Sequence, residues 1–141
     1  MRDLYNNVEV RRGFSPAAAV TDNTAYVSQI IDMQGFKSLV WLVLIGAHDD
    51  TDATFTILME DGDDSSLSDA AAVADAQIDP TEAIMAFDFA DDDTCRKMGY
   101  VGEKRYVRLT ITPVDNTGNA FVAIAALLGN PSTHPTTAQA T

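Results

Sequence analysis

The chain has one cysteine, Cys95, one tryptophan, Trp41, and two histidines, His48 and His134. A lone cysteine excludes an intrachain disulfide and a cysteine-based zinc framework, and its ordinary role is that of a small apolar filler. A Ser-His-Asp device needs its histidine held rigidly between nucleophile and carboxylate. His134 lies in a Pro-containing tail, and His48 lies in an acidic turn without a Gly-x-Ser-x-Gly partner. The eight glycines stand singly, which leaves no phosphate-binding loop. No apolar run approaches the length of a membrane span, and the best covers only residues 38–47. The opening Met1-Arg2-Asp3-Leu4-Tyr5 has no apolar signal core behind it, so a protein folded in a cytoplasm and not exported by a signal peptide is expected.

Positive charge is also missing, and over a defined stretch. Between Asp49 and Asp93 there are 15 acidic residues and no Lys or Arg, whereas the remaining segments hold 6 acids and all 9 bases. A net charge of −12 repels phosphate backbones, and no basic stripe with interleaved aromatics offsets it, which excludes nucleic acid as a direct partner.

The carboxylates cluster in turns: Asp49, Asp50 and Asp52; Glu60, Asp61, Asp63 and Asp64; Asp91, Asp92 and Asp93. A glycosidase-like pair needs two acids on rigid walls of an aromatic-lined cleft. Turn acids are ordinarily solvated, and Trp41 lies in an apolar strand suited to a core. Hard cations prefer clustered oxygen ligands in loops, which makes Asp49, Asp50 and Asp52 the calcium candidates, but EF-hand spacing is absent. No metal and no cofactor is expected, and no catalytic residue is assigned.

What is present is strand periodicity. Val107, Leu109 and Ile111 alternate with Tyr106, Arg108, Thr110 and Thr112; Phe55, Ile57 and Met59 alternate with Thr54, Thr56 and Glu60. Residues 39–45 and 120–128 are apolar throughout and read as strands covered on both faces, by a second sheet or a partner subunit. An aspartate at Leu42 is therefore expected to abolish folding or assembly. Weaker strands are expected over residues 5–10, 25–33, 83–89 and 98–101. Asp115-Asn116-Thr117-Gly118 reads as the turn of a hairpin joining residues 104–114 to 119–128. Residues 65–75 suggest one short helix capped by Ser68 or Asp69. These elements predict an all-β fold, an antiparallel β-sandwich, jelly-roll-like, with one short helix or loop insertion. Residues 1–129 form a single β-sandwich domain with an N-terminal arm, and residues 130–141 form a flexible C-terminal tail.

Several segments together resemble a family of small tailed-phage head-associated structural proteins, capsid decoration or cement proteins. They are Met1-Arg2-Asp3-Leu4-Tyr5-Asn6-Asn7-Val8, Ser15-Pro16-Ala17-Ala18-Ala19, and Ile31-Asp32-Met33-Gln34-Gly35-Phe36-Lys37-Ser38-Leu39-Val40 with Ile45-Gly46. Met59-Glu60-Asp61-Gly62-Asp63-Asp64, residues 69–75, residues 99–108 and residues 125–131 complete the likeness. The resemblance implies a non-catalytic β-sandwich on the outer surface of the phage head, commonly a homotrimer, with the major capsid protein as partner. It implies a virion location after synthesis in the bacterial host cytoplasm. The interface candidates are Leu4, Tyr5, Val8, Val10, Arg11, Arg12, Trp41, Leu42, Pro131 and Pro135. A head–tail joining or tail-associated virion protein is the alternative. A carbohydrate- or calcium-binding module is a third reading, for which Tyr5, Tyr26, Tyr100 and Tyr106 would have to supply the aromatic platform.

Overall fold

The computed structural model describes residues 3–136. In chain order the strands are β1 (Val8–Phe14), β2 (Tyr26–Val27), β3 (Ile31–Asp32), β4 (Phe36–His48), β5 (Thr54–Gly62), β6 (Ala71–Ala72), β7 (Ile78–Asp79), β8 (Phe87–Asp88), β9 (Thr94–Tyr100), β10 (Tyr106–Val114) and β11 (Ala120–Pro131). One short helix, α1 (Glu82–Met85), precedes β8. Two antiparallel sheets form: a five-stranded one ordered β1-β11-β4-β9-β7, and a second ordered β2-β10-β5-β6, in which β3 also pairs with β10 and β8 with β5. β1 and β4 share the five-stranded sheet, and from β4 onward the long strands β5, β9, β10 and β11 alternate between the two sheets, as in a jelly-roll-like sandwich.

The core lies between the sheets. Leu39, Trp41, Val43 and Ile45 of β4, with Val122, Ile124, Ala126 and Leu128 of β11, face Phe55, Ile57 and Met59 of β5 and Val107, Leu109 and Ile111 of β10. Trp41 is the largest fully buried side chain. Two tyrosines keep their hydroxyls satisfied inside this core: Tyr26 donates to the Ala120 carbonyl at 3.0 Å, and Tyr100 donates to Asp61 Oδ2 at 2.6 Å while accepting from the Lys104 backbone N–H. Burial pushes the Tyr26 phenol up to about 12. In β1 a bulge between Arg12 and Phe14 depends on Gly13, where a Cβ would stand 2.8 Å from the Ile124 carbonyl oxygen.

The fold departs from the sequence expectations in four places. The expected hairpin is absent: β10 and β11 lie in different sheets, and the turn at Asp115–Gly118 carries the chain across the sandwich. Turn residues mark a reversal of the chain, and both strands satisfy their alternation by facing the shared core. The expected helix over 65–75 gives way to turns and β6. Leu67 adopts a left-handed φ of 55°, and Asp69 turns back to accept the backbone N–H groups of Asp63 at 2.8 Å and Asp64 at 3.1 Å. The helix forms later, in the stretch 83–89 read as a strand. It is held by tertiary bonds: Glu82 accepts the Met59 N–H at 2.6 Å, and Arg96 Nη1 donates to the carbonyls of Ile84 and Ala86 at 3.1 and 2.8 Å. Finally, β11 continues through Pro131, so a flexible tail does not begin at Asn130. Ser132 donates to the Gly35 carbonyl and Thr136 to the Asn6 carbonyl, which lays residues 132–136 against the N-terminal turn; the rest of the tail and Arg2 lie outside the described residues.

Trp41 and Leu42 therefore separate cleanly. Replacing Trp41 by Ala is expected to cost about 3–5 kcal/mol in urea unfolding, because a large buried side chain leaves a cavity. Leu42→Asp, on the outward side of β4, is expected to cost no more than about 1 kcal/mol and to fold; a Leu42→Asp chain that fails to fold would overturn the assignment of strand faces.

Candidate docking surface

The phase of β4 determines what lies outside. With Leu39, Trp41, Val43 and Ile45 inward, Val40, Leu42 and Leu44 face outward. Strand register extends this into rows across four strands. Val10 pairs with Leu127 and Leu127 with Val40; Arg12 pairs with Ala125, Ala125 with Leu42, and Leu42 with Lys97; Ala123 pairs with Leu44, and Leu44 with Cys95. Leu44 is 50% exposed and Phe121 42%. Beside them a groove of about 760 Å³ opens where β1 and Ser15–Pro16 stand against Leu44, Ala123 and Ala125.

Charge sets this surface apart. Across β1, β11, β4 and β9 the outward register holds no carboxylate; Asp79, paired with Gly99 on edge strand β7, is the nearest acid in that register. Five of the cations are held by acids elsewhere: Arg11 by Glu9, Arg96 by Asp91, Lys104 by Asp63, Arg105 by Asp32 and Arg108 by Glu60, at 2.5–2.8 Å. Among the described residues Arg12, Lys37 and Lys97 stand outside any ion pair, and Arg12 and Lys97 sit at the two ends of the row through Ala125 and Leu42.

The interface candidates fall into three groups. Val8, Val10, Arg12 and Leu42 lie on the outward face. Leu4 and Tyr5 are exposed in the N-terminal turn, with Pro131 and Pro135 near the same corner of the molecule. Trp41 is sealed in the core, whereas Arg11 is partly exposed at the groove but held by Glu9 and by the Asp32 carbonyl, 2.6 Å away. Leu44, Ala123 and Phe121 were not singled out, because an uninterrupted apolar run conceals which alternate residues point out. The single Trp41 carried the usable signal, since its bulk demands the inside.

The acidic turns are largely occupied by the chain's own donors. Asp50 Oδ2 accepts Thr117 N–H and Oγ1–H, both at 2.8 Å, Asp50 Oδ1 accepts the Asp52 N–H at 3.0 Å, and Asp49 Oδ2 accepts Asn119 Nδ2 at 2.6 Å. These bonds hold the Asp50 carboxyl below the usual carboxylate range. Among the described residues no group of three or more His, Cys, Asp and Glu side chains gathers in a metal-binding arrangement. Of the tyrosines, Tyr26 and Tyr100 are core residues and Tyr106 lies beneath the Arg105 guanidinium, 5.0 Å from its ring centre. Tyr5 alone is freely exposed, so the four do not form an aromatic platform.

His48 closes β4 and is buried, where an acidic turn was expected. Its ring stacks on Phe55 at 4.7 Å and on Phe87 at 5.8 Å, and neither ring nitrogen has a hydrogen-bond partner. Burial lowers its pKa from 6.5, against an opposing pull from Asp92. The histidine thus serves as an aromatic spacer in the core between β4, β5 and β8.

No protein-family model and no curated protein matches the sequence. Solved structures do match in fold. The PBSX exported protein XepA aligns over 100% of this chain with a TM-score of 0.54 and 15% identity, and the chain spans 43% of that chain's length. The CBM22-1–GH10 modules of a Clostridium thermocellum xylanase align over 85% of this chain and 21% of theirs, at 17% identity and a TM-score of 0.45. The xylan-binding module CBM15 aligns over 93% of this chain and 95% of its own, at 10% identity and 0.39. At these identities the likeness is one of fold: the class defined is the antiparallel β-sandwich.

Because the folded state depresses the His48 pKa, the unfolded chain takes up a proton first as pH falls. Stability is therefore expected to decline below about pH 6.5, and His48→Phe should flatten that part of a melting-temperature profile. A His48→Phe protein with an unchanged slope would remove His48 as the cause. Millimolar calcium is expected to leave the melting temperature of the wild-type protein unchanged.

Proposed function

We propose that the protein is a non-catalytic virion component that decorates the outer surface of a tailed-phage head, binding the major capsid protein and associating with itself, as a homotrimer. The outward face of the five-stranded sheet carries this reading: an apolar, carboxylate-free strip with unpaired Arg12 and Lys97 on a chain of net charge −12. A protein that acts alone in solution gains nothing from leaving such a face open, whereas one that docks does. The resemblance to head-associated proteins and the fold shared with the PBSX exported protein are consistent with it. Neither histidine is placed for nucleophilic catalysis: His48 is stacked in the core, and His134 lies on the segment packed along the N-terminal turn. Avidity over a repeating shell allows each contact to be modest.

Purified protein added to heads assembled from its phage's major capsid protein is expected to co-sediment saturably, in a stoichiometry fixed by the shell lattice. Binding of a few copies at one vertex would instead identify the head–tail joining role. Heads that bind none would overturn both.

A further inference from the structure

The outward sheet face has a chemical counterpart on the same chain. The segment Thr81–Asp93 contains no base and five acids, and it exposes two large apolar side chains, Ile84 at 66% and Phe89 at 38%. Asp88 and Asp93, both exposed, flank Phe89. Acids of this segment also hold its backbone and neighbours: Glu82 accepts Met59 N–H, Asp88 Oδ1 accepts Ala90 N–H while leaving its carboxylate exposed, Asp91 pairs with Arg96, and Asp92 accepts His48 N–H. The segment is thus fixed in shape while presenting two hydrophobic side chains among net negative charge.

We propose that the outward face of the five-stranded sheet receives the Thr81–Asp93 segment of a second copy of this chain. Ile84 and Phe89 lie on the strip of Leu42, Leu44 and Ala125, and Asp88 and Asp93 meet the cations Arg12 and Lys97. Charge decides between modes of pairing. Two copies joined face to face would set Arg12 and Lys97 of one against Arg12 and Lys97 of the other, with no carboxylate in the outward register of the four strands to compensate. A face-to-segment contact pairs every cation with an acid. Such a contact is heterologous, so repeating it generates a ring where the rotation closes and a filament where it does not, never a two-fold dimer; the form inferred for this chain is the closed ring of three. The inference deepens the reading of the protein as a self-associating virion component by assigning the two surfaces that meet.

Light scattering on a sizing column tests it, together with maleimide labelling of Cys95, which is exposed on β9 beside Leu44. Wild type is expected at three times the 15.2 kDa chain mass at low salt, dissociating as salt rises, with Cys95 labelling slowed in the assembled state. Leu44→Asp and the pair Arg12→Glu with Lys97→Glu should each weaken association about tenfold or more while leaving the circular dichroism spectrum unchanged. Adding Asp88→Lys and Asp93→Lys to the second variant should restore assembly, an outcome that a merely destabilised fold would not give. A monomeric wild type, association untouched by Leu44→Asp, or a four-site variant without recovery would each overturn the proposal. Head co-sedimentation of the same samples separates the two readings: a monomer that still decorates heads refutes the ring contact and leaves decoration standing.

Discussion

The position of Trp41 between the two sheets is the constraint on which the remaining architecture depends. β4 is apolar on both sides, and nothing but side-chain bulk distinguishes its two faces. Placing the indole inside carries Leu39, Val43 and Ile45 with it, and through cross-strand register it orients β11 on one side and β9 on the other. A slip of one residue would turn Trp41 to solvent and leave the core with leucine and valine where the indole now stands. The same choice of phase creates the apolar exterior, so the core and the apolar outer face are two consequences of one alternation.

Charge is distributed to complement that exterior. Most cations are neutralised by carboxylates reached across strands or turns, as with Arg108 and Glu60 on paired positions of β10 and β5. Such half-exposed pairs add little stability each, about 1 kcal/mol or less, but they remove positive charge from most of the surface. What remains unpaired on the five-stranded sheet is concentrated around apolar side chains. Electrostatic contrast of this kind steers approach and fixes orientation more than it adds affinity.

The sandwich was legible in the sequence wherever alternation was clean. Residues 54–60 and 106–112 became neighbouring strands with the expected faces, paired Leu109 to Met59 and Ile111 to Ile57. Legibility failed where a local signal was overruled by distant partners. Ala-rich residues 70–74 have helical propensity, yet the backbone at 71–72 pairs with Glu60 and Asp61, and Asp69 is drawn back to the preceding turn. Residues 82–85 become helical because Glu82 and Arg96 supply bonds from β5 and β9. His48 reads as a turn residue beside Asp49 and Asp50, but two phenylalanines from other strands enclose it. The outward face of the five-stranded sheet was half legible: Val10, Arg12 and Leu42 lie on it, whereas Lys97 gains its place beside Leu42 through a register that no single segment encodes.

The pairing of β1 with β11 has a consequence for how the molecule is made. β11 sits between β1 and β4, so the two earlier strands of that sheet cannot complete their hydrogen-bond ladders until β11 has left the ribosome. Until then the outer and inner faces of β4 are both open to water, and the nascent chain carries its most apolar segment unshielded. Folding is then governed by closure between distant residues, the slow regime for small domains. The long acid-only stretch emerges between β4 and β11, and its mutual repulsion would keep neighbouring nascent chains apart during that wait.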